Sequence, residues 1–215
     1  MPTGNEELAC LSMHQPWASL LVYGIKRIEG RTWDCQHRGR LWIHATAKAV
    51  DPSDVEELHT FYTQIHSLDG QVPNFPPAYP TGVLLGCVEV VDVVPTSVLE
   101  RWPGLPESCR LEASSPFSFL CQNPKRLVVP QQLKGQQRIW QLPRATLKIA
   151  LQGLRDPPGL PPFSWRDFGN PSALSSQAPV VPPAAAGGPR TKDVAAAQPR
   201  PKGHEQPGRT GSDDS

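Results

Sequence analysis

The sequence predicts an α+β fold, a small β-barrel with flanking helices, followed by a disordered tail rich in proline, alanine and glycine. Segments with strand character outnumber helical ones, and they do not alternate with helices as in a parallel βαβ sheet. Two of these segments are joined by the polar stretch DCQHR, which is typical of a hairpin. The 26 prolines and 17 glycines of the 215-residue chain are concentrated after Asp156.

Six segments have the composition of β-strands. The most apolar one, VLLGCVEVVDV, is interrupted by Glu89 and Asp92 and is too short to span a bilayer, so we interpret it as a largely buried strand. The proline-rich stretch VPNFPPAYPTG before it predicts a loop. The predicted strands are 9–13, 25–33, 39–45, 83–93, 117–121 and 138–142.

Two helices are predicted between these strands. Pro16 suits the first position of a short helix, and Gly24 suits the position after its end. Trp17 begins the apolar face of this helix. A second helix is predicted to start at Asp51 or Ser53, either of which can cap it, and to end at about residue 66.

The composition indicates one folded domain in a reducing compartment. The five cysteines include no C-x-x-C pair and leave an odd one over, which argues against a disulfide framework or a zinc site. No signal peptide is visible, so we expect a location in the nucleus, the cytosol or both, and no membrane partner. We expect a flexible N-terminus at 1–7, a folded domain at 8–150 and a disordered low-complexity tail at 151–215.

One stretch of the predicted tail, PPFSWRDF at 161–168, differs from the rest in its aromatic content. Phe163, Trp165 and Phe168 are able to dock onto the domain or onto a partner. The surrounding prolines and glycines favour the simpler interpretation, in which these are apolar residues within a flexible linker.

The net charge of +1 conceals two basic segments on either side of an acidic one. Residues 24–50 contain six Lys/Arg and two Asp/Glu, a net charge of +4, and residues 121–150 contain six Lys/Arg and no acid, a net charge of +6. Residues 51–120 contain two basic and ten acidic residues, a net charge of −8. If the fold unites the basic segments, they form one positive face of the kind that binds polyanions; otherwise they are solvated surface charge.

Four blocks of the sequence resemble the ASCH domain family. They are LSMHQPWASLLVYGIKRIEGRTW, HRGRLWIHATAKAVDP, YPTGVLLGCVEVVDV and SPFSFLCQNPKRLVVPQQLKGQQRIWQL, and the resemblance extends over about residues 8–150. It implies a β-barrel related to the PUA domain, an RNA-binding fold. It also implies a cleft between the barrel mouth and the first helix, lined by the HQPWA turn and the G-x-K-x-x-E-x-R stretch.

Within this cleft, the HQPWA turn is expected to offer several kinds of contact. Pro16 would direct the N–H groups of the helix N-terminus towards a phosphate or a base carbonyl. His14 and Gln15 are expected to be exposed and to contact base edges. Trp17 is either a core anchor or a stacking surface, and its helical spacing favours the core.

The charged stretch that follows supplies the cations of the expected cleft. Lys26 and Arg31 can bind phosphate, and Glu29 can orient them or accept from a base amino group. Because Lys26 and Glu29 would point to opposite faces of a regular strand, Lys26 must lie in the turn or a bulge must intervene. Tyr79 and Asn123 are expected in loops that border the cleft.

Outside the cleft, six cations are predicted to contact phosphates if the two basic segments form one face. They are Arg38, Arg40, Lys125, Arg126, Lys134 and Arg138. The binding partner predicted in this way is nucleic acid, and the resemblance to an RNA-binding fold implies RNA rather than DNA. The resemblance adds transcription-coactivator or helicase-complex proteins as partners.

Two alternatives to a nucleic-acid-binding module remain open. Some bacterial ASCH proteins are amidohydrolases that act on N4-acetylcytidine with a Lys, a Thr and a Glu. Lys26 matches the Lys, but Glu29 stands in the position of the Thr and has no hydroxyl to act as nucleophile. The other alternative is a protein-interaction adaptor. No cofactor, metal or catalytic residue is predicted for the binding module.

Overall fold

The computed structural model describes residues 6–159 and 161–169. Seven strands and five α-helices lie within this part of the chain. The strands are β1 (Ala9–Met13), β2 (Ile28–Arg31), β3 (Gly39–Ala45), β4 (Val83–Pro95), β5 (Phe117–Gln132), β6 (Ile139–Gln141) and β7 (Leu154–Arg155). The helices are α1 (Trp17–Val22), α2 (Pro52–Ser67), α3 (Thr96–Arg101), α4 (Glu107–Glu112) and α5 (Arg144–Gly153). Short 3₁₀ helices occur at Glu6–Leu8 and Trp165–Phe168.

All seven strands belong to one mixed sheet with the order β2-β5-β4-β3-β1-β6, and β7 pairs with β5. Only β1 and β3 run parallel; the other pairs among the described residues are antiparallel. The sheet curves into a half-barrel with the helices at its flanks, so the predicted α+β class is confirmed. Close approach of β4 and β5 requires glycine at Gly86, because a Cβ there would lie 2.0 Å from the carbonyl oxygen of Lys125.

Helix α1 lies at the centre of the main core. Its residues Ala18, Leu21 and Val22 are buried in the same cluster as apolar side chains of β1, β3, β4 and β5. The opposite side of α1 contributes Leu20 to a second cluster, in which it meets the apolar face of α2. Helix α1 is therefore fixed between the sheet and α2, and the residues that follow it have a defined position.

The predicted helix boundaries agree closely with the structure. Asp51 is the N-cap of α2 and accepts a hydrogen bond from the backbone N–H of Ser53 at 2.9 Å. After α1, Gly24 adopts φ of 72°, a left-handed conformation that glycine adopts without the steric cost of a Cβ.

Other elements differ from the prediction. The strand predicted at 25–33 is confined to β2, and the strand predicted at 117–121 extends to Gln132 in β5. Two prolines, Pro124 and Pro130, lie within this long strand, and register shifts in the β4–β5 pairing, one of them near Pro124, accommodate the irregular backbone. Helices α3, α4 and α5 were not predicted. The first two are only six residues long, and the proline before each of the three is a helix-start signal that was not used.

Residue 150, where the folded domain was expected to end, lies inside α5. The chain continues through β7 and packs its 3₁₀ helix on the domain, with Trp165 fully buried. The indole Nε1 of Trp165 donates to the carbonyl oxygen of Cys121 at 2.9 Å. PPFSWRDF is therefore a docked segment. Of the flexible N-terminus expected at 1–7, residues 1–5 lie outside the described residues, as do residues 160 and 170–215 of the tail expected at 151–215.

Replacing Trp165 with alanine is expected to destabilise the whole domain. The substitution removes a fully buried indole and its hydrogen bond, so the free energy of unfolding should fall by about 3–5 kcal/mol. Urea unfolding of the full chain measures this change. Ile149→Ala, at a position that is 61% exposed in α5, is the control and should have little effect. Equal stability of the two variants would contradict docking of this segment.

Candidate functional site

The turn before α1 is held by the side chain of Gln15. Its Oε1 accepts from the backbone N–H of Ser19 at 3.0 Å, and its Nε2 donates to the Oγ of Ser19 and to the carbonyl oxygen of Pro80. Gln15 is buried rather than exposed, contrary to the prediction. Its side chain thus satisfies an N–H group in the first turn of α1, for which Pro16 at the N-cap offers no side-chain acceptor.

The N-terminus of α1 does not offer the anion site that the sequence predicted. The N–H groups of Ala18 and Leu20 donate to the carbonyl oxygens of His14 and Pro16, and that of Ser19 donates to Gln15. These groups are thus already satisfied within the turn. Trp17 is half-buried and packs against two core clusters, in agreement with the core role that its spacing favoured.

His14 and Tyr79 make contacts that hold loops in place. The Nδ1 of His14 lies 2.6 Å from Oγ1 of Thr46, and the hydroxyl of Tyr79 lies 2.7 Å from Nε2 of His59. Burial lowers the pKa of His14, and the positive charges of Lys48 and Arg31 lower it further. His14 is therefore neutral at pH 7 and close to Arg31.

Lys26 and Glu29 form a buried ion pair after α1. The backbone N–H of Lys26 donates to the carbonyl oxygen of Leu20, which places Lys26 in the turn before β2, as one of the two predicted arrangements requires. Its Nζ lies 3.5 Å from Oε2 of Glu29, and both side chains are at most 2% exposed. Arg31 reaches Oε1 of the same carboxylate at 2.8 Å. Glu29 therefore orients both cations, as proposed from the sequence.

Arg27 takes part in a second buried ion pair that sequence reasoning missed. Its Nε donates to Oε1 of Glu112 at 2.8 Å, and its Nη1 lies 3.4 Å from Oδ2 of Asp69. Oε2 of Glu112 accepts from the backbone N–H groups of Arg27 and Ile28. The only sequence signal was the density of charge around Arg27, since Glu112 is 85 residues away in a helix that was not predicted.

The pKa shifts of neighbouring groups show that both ion pairs, Lys26–Glu29 and Arg27–Glu112, are enclosed by protein. Burial opposes the charge of Arg27, but Glu112 and Asp69 stabilise the cation and the pKa of Arg27 is raised above its ordinary value. Burial raises the pKa of Tyr62 and of Cys121, and the negative charges of Glu29 and Glu112 raise both further. The two ion pairs thus share one enclosed region of low dielectric constant.

A cavity of about 190 Å³ adjoins this region and is called the Lys26 cavity here. One side is formed by the end of α1 and the turn that follows it, and another by β4 and β5. The remaining wall comes from the segment after β7. The lining residues are Leu21, Gly24, Lys26, Arg27, Val88, Cys121, Gln122, Asn123, Pro124, Lys125, Asp156, Pro161, Pro162 and Phe163.

The polar groups around the Lys26 cavity include hydrogen-bond donors and cations, and nearby carboxylates bind them. Lys125 forms an ion pair with Asp156. Asn123, whose φ is 49°, donates through Nδ2 to Oε2 of Glu89 at 2.5 Å. The Nη2 atom of Arg27 is buried and has no hydrogen-bond partner among the residues that the structure describes. An unpaired buried donor beside a cavity is suited to a ligand that carries an acceptor.

The two basic segments meet in part, but acids interrupt them. Burial raises the pKa of Cys87 in β4 to about 11, and Arg40 and Lys125 both oppose this rise, so a cation from each basic segment lies near Cys87. Arg38 forms an ion pair with Asp92 at 2.5 Å, and Arg126 lies 6.0 Å from the ring centroid of Tyr23. Exposed positions are held by Arg40, Lys134 and Arg138.

The predicted site residues therefore divide into three groups. Lys26, Asn123 and Lys125 line the cavity, with Glu29 and Arg31 joined to Lys26 by ion pairs. A second group does not line it and has structural contacts: His14, Gln15, Pro16, Trp17, Tyr79, Arg38 and Arg126. The third group, Arg40, Lys134 and Arg138, is exposed and lies outside the cavity lining.

Glu112→Gln is expected to destabilise the domain strongly. The substitution preserves the shape of the side chain but leaves the buried charge of Arg27 with Asp69 alone, which should cost about 3–5 kcal/mol of unfolding free energy. Chemical denaturation measures this loss. Glu107→Gln is the matched control in the same helix, because its pair with Arg110 is solvent-exposed and should contribute less than about 1 kcal/mol. Similar losses for both variants would show that the buried pair has no special role.

Comparison with solved structures gives matches to ASCH proteins of low sequence identity. The crystal structure of ASCH from Zymomonas mobilis is 14% identical, with a TM-score of 0.41 over 70% of this chain and 98% of that chain. A mutant of the same Zymomonas protein matches with a TM-score of 0.42 at 14% identity, over 70% of this chain and 99% of that chain. None of the helices in the described ranges is long and apolar enough to cross a membrane.

Sequence comparison gives more similar relatives. The chain is 47% identical over 146 residues to activating signal cointegrator 1 of Homo sapiens, and 46% identical over 146 residues to that of Mus musculus. Each match covers 67% of this chain and 24% of the relative, so the chain spans about a quarter of the length of the curated relatives it matches. The family model of the ASCH domain matches residues 11–131. This chain belongs to the ASCH domain family.

Proposed function

We propose that this ASCH domain binds single-stranded nucleic acid, RNA in preference to DNA, and that the Lys26 cavity receives one unpaired base. The observation that carries the proposal is the composition of the cavity, whose volume of about 190 Å³ suits a single base. Its wall offers the amide groups of Gln122 and Asn123 and the cations of Lys26 and Arg27. Unpaired bases are recognised in this way, by hydrogen bonds to their edges and contacts to their faces.

The charge balance of the cavity favours a base over a phosphate. Lys26 faces Glu29, Lys125 faces Asp156, and Arg27 faces Glu112, so each cation that lines the cavity is already paired with an acid. A phosphate would bring further negative charge next to these acids. A neutral base can accept from the paired cations and donate to nearby acceptors without that cost.

The exposed cations are suited to the nucleic-acid backbone. Arg40, Lys134 and Arg138 are exposed and can each approach a phosphate from solvent. Such contacts add affinity and orientation, whereas the cavity adds the selection of a base. The preference for RNA rests on the family resemblance to an RNA-binding fold.

The alternatives have less support. For an amidohydrolase, Glu29 would have to serve in place of a hydroxyl nucleophile, yet its two oxygens are paired with Lys26 and Arg31. For an adaptor, the relatives named activating signal cointegrator 1 suggest coactivator proteins as partners and the nucleus or cytosol as location. Neither partner proteins nor location follows from the cavity.

Lys26→Met is expected to weaken binding of single-stranded RNA by about 10- to 150-fold, the value of a charge-assisted hydrogen bond of about 1.5–3 kcal/mol. Methionine keeps most of the apolar volume, and Glu29 keeps its pair with Arg31. Fluorescence anisotropy with the full chain measures the dissociation constants. The ligands are matched single- and double-stranded RNA and DNA, and single-stranded RNA is expected to bind most tightly.

Lys134→Met is the matched control, because it removes an exposed lysine outside the cavity lining. It should weaken all four nucleic acids by a similar and smaller factor. Both variants must retain the wild-type unfolding transition. Equal affinities of Lys26→Met and the wild type for all four ligands would refute the role of the cavity. Release of cytidine from N4-acetylcytidine by the wild type, lost in Lys26→Met, would favour the hydrolase instead.

A further inference from the structure

The segment after β7 contributes several residues to the lining of the Lys26 cavity. We call residues 156–159 and 161–168 the C-terminal strap. Its first residue, Asp156, forms an ion pair with Lys125 of β5. Near its other end, the backbone N–H of Trp165 donates to Oε1 of Gln122 at 3.2 Å, and the indole is fully buried. The strap is thus attached to β5 at both ends.

The part of the strap between these attachments forms one wall of the cavity. Pro161, Pro162 and Phe163 line the Lys26 cavity. Pro161 and Phe163 also line a second, smaller cavity of about 40 Å³, whose other walls include Tyr23, His66 and Asn74. Phe163 therefore lies between two cavities and presents part of its side chain to each of them. A side chain enclosed entirely within the core would present no surface to a ligand.

The ring of Phe163 is held in place by its neighbours. The guanidinium carbon of Arg27 lies 5.3 Å from its centroid, and Trp165 packs against it edge to face at 5.1 Å. Arg27 is itself fixed by Glu112 and Asp69. A ring that is already immobilised loses little conformational entropy when a ligand contacts it, so its contribution to affinity is larger.

We propose that Phe163 is a ligand-contacting residue of the Lys26 cavity and that the C-terminal strap is a wall of the binding site. This rests on the proposed function, since the expected ligand is an unpaired base of RNA. An aromatic side chain offers a base a stacking surface that does not depend on sequence. The strap lies beyond residue 131, where the match to the family model ends.

A strap that blocks the cavity and a strap that forms its wall predict opposite changes in affinity when the ring of Phe163 is removed. If the strap merely occluded the cavity, a ligand would have to displace Phe163, and removal of the ring would tighten binding. If the strap forms a wall, removal of the ring takes away a contact and weakens binding. The sign of the change in affinity therefore distinguishes the two roles.

The test compares Phe163→Ala with Phe168→Ala in the full chain, using a single-stranded RNA oligonucleotide and fluorescence anisotropy. Phe168 is an aromatic residue of the same strap that lines neither cavity. Loss of one stacking contact should weaken binding by about 5- to 150-fold in Phe163→Ala, and Phe168→Ala should bind within about twofold of the wild type. Phe163→Leu keeps apolar packing without the ring and should fall between Phe163→Ala and the wild type, which covers the case in which the alanine variant fails to fold.

Unchanged or tighter binding by both folded Phe163 variants would overturn the inference while leaving the proposed function intact. Weak binding by Phe168→Ala equal to that of Phe163→Ala would also overturn it, because the effect would then come from a loosened strap. If the wild type binds none of the four nucleic acids, the proposed function fails and this inference fails with it.

Discussion

Glu112 accepts three hydrogen bonds where the chain enters β2, and the candidate site depends on this arrangement. One oxygen binds the Nε of Arg27, and the other binds the backbone N–H groups of Arg27 and Ile28. A single carboxylate from α4 thus fixes both a buried cation and the direction of the backbone beside Lys26. Because charges buried without partners cost several kcal/mol, the pair must form wherever the fold does. The position of Lys26 follows from it.

In the same region, the positive charges of a basic segment are neutralised by acidic side chains. Three cations, Lys26, Arg27 and Arg31, lie against the acids Glu29, Glu112 and Asp69. In the proposed function, long-range attraction of a polyanion is therefore left to exposed residues, while the cavity offers directional hydrogen bonds and an aromatic wall. Such a division would separate affinity for a charged backbone from selection of a base, as is usual in nucleic-acid recognition.

Local signals predicted much of the fold, and long-range contacts explain what was missed. Gly24 and the cap at Asp51 were predictable because each acts within its own turn. Glu112 was not, since its partner is 85 residues away and nothing local distinguishes it from an exposed acid. The strap was interpreted as linker because prolines dominate its composition; one buried indole, Trp165, and its hydrogen bonds to β5 outweigh that composition. Gln15 was expected in solvent because its amide can both donate to and accept from a base edge; instead these groups bind Ser19 and Pro80.

A titration of the ¹⁵N-labelled full chain with single-stranded RNA, followed by chemical-shift changes of backbone amides, tests most directly whether ligand enters the Lys26 cavity. A ligand in that cavity should cause saturable changes at Gly24, Asn123 and Phe163, which lie on three different walls. These changes should be larger than those at Lys134 and Arg138. Changes confined to the exposed cations, with the three cavity positions unaffected at saturation, would contradict the account.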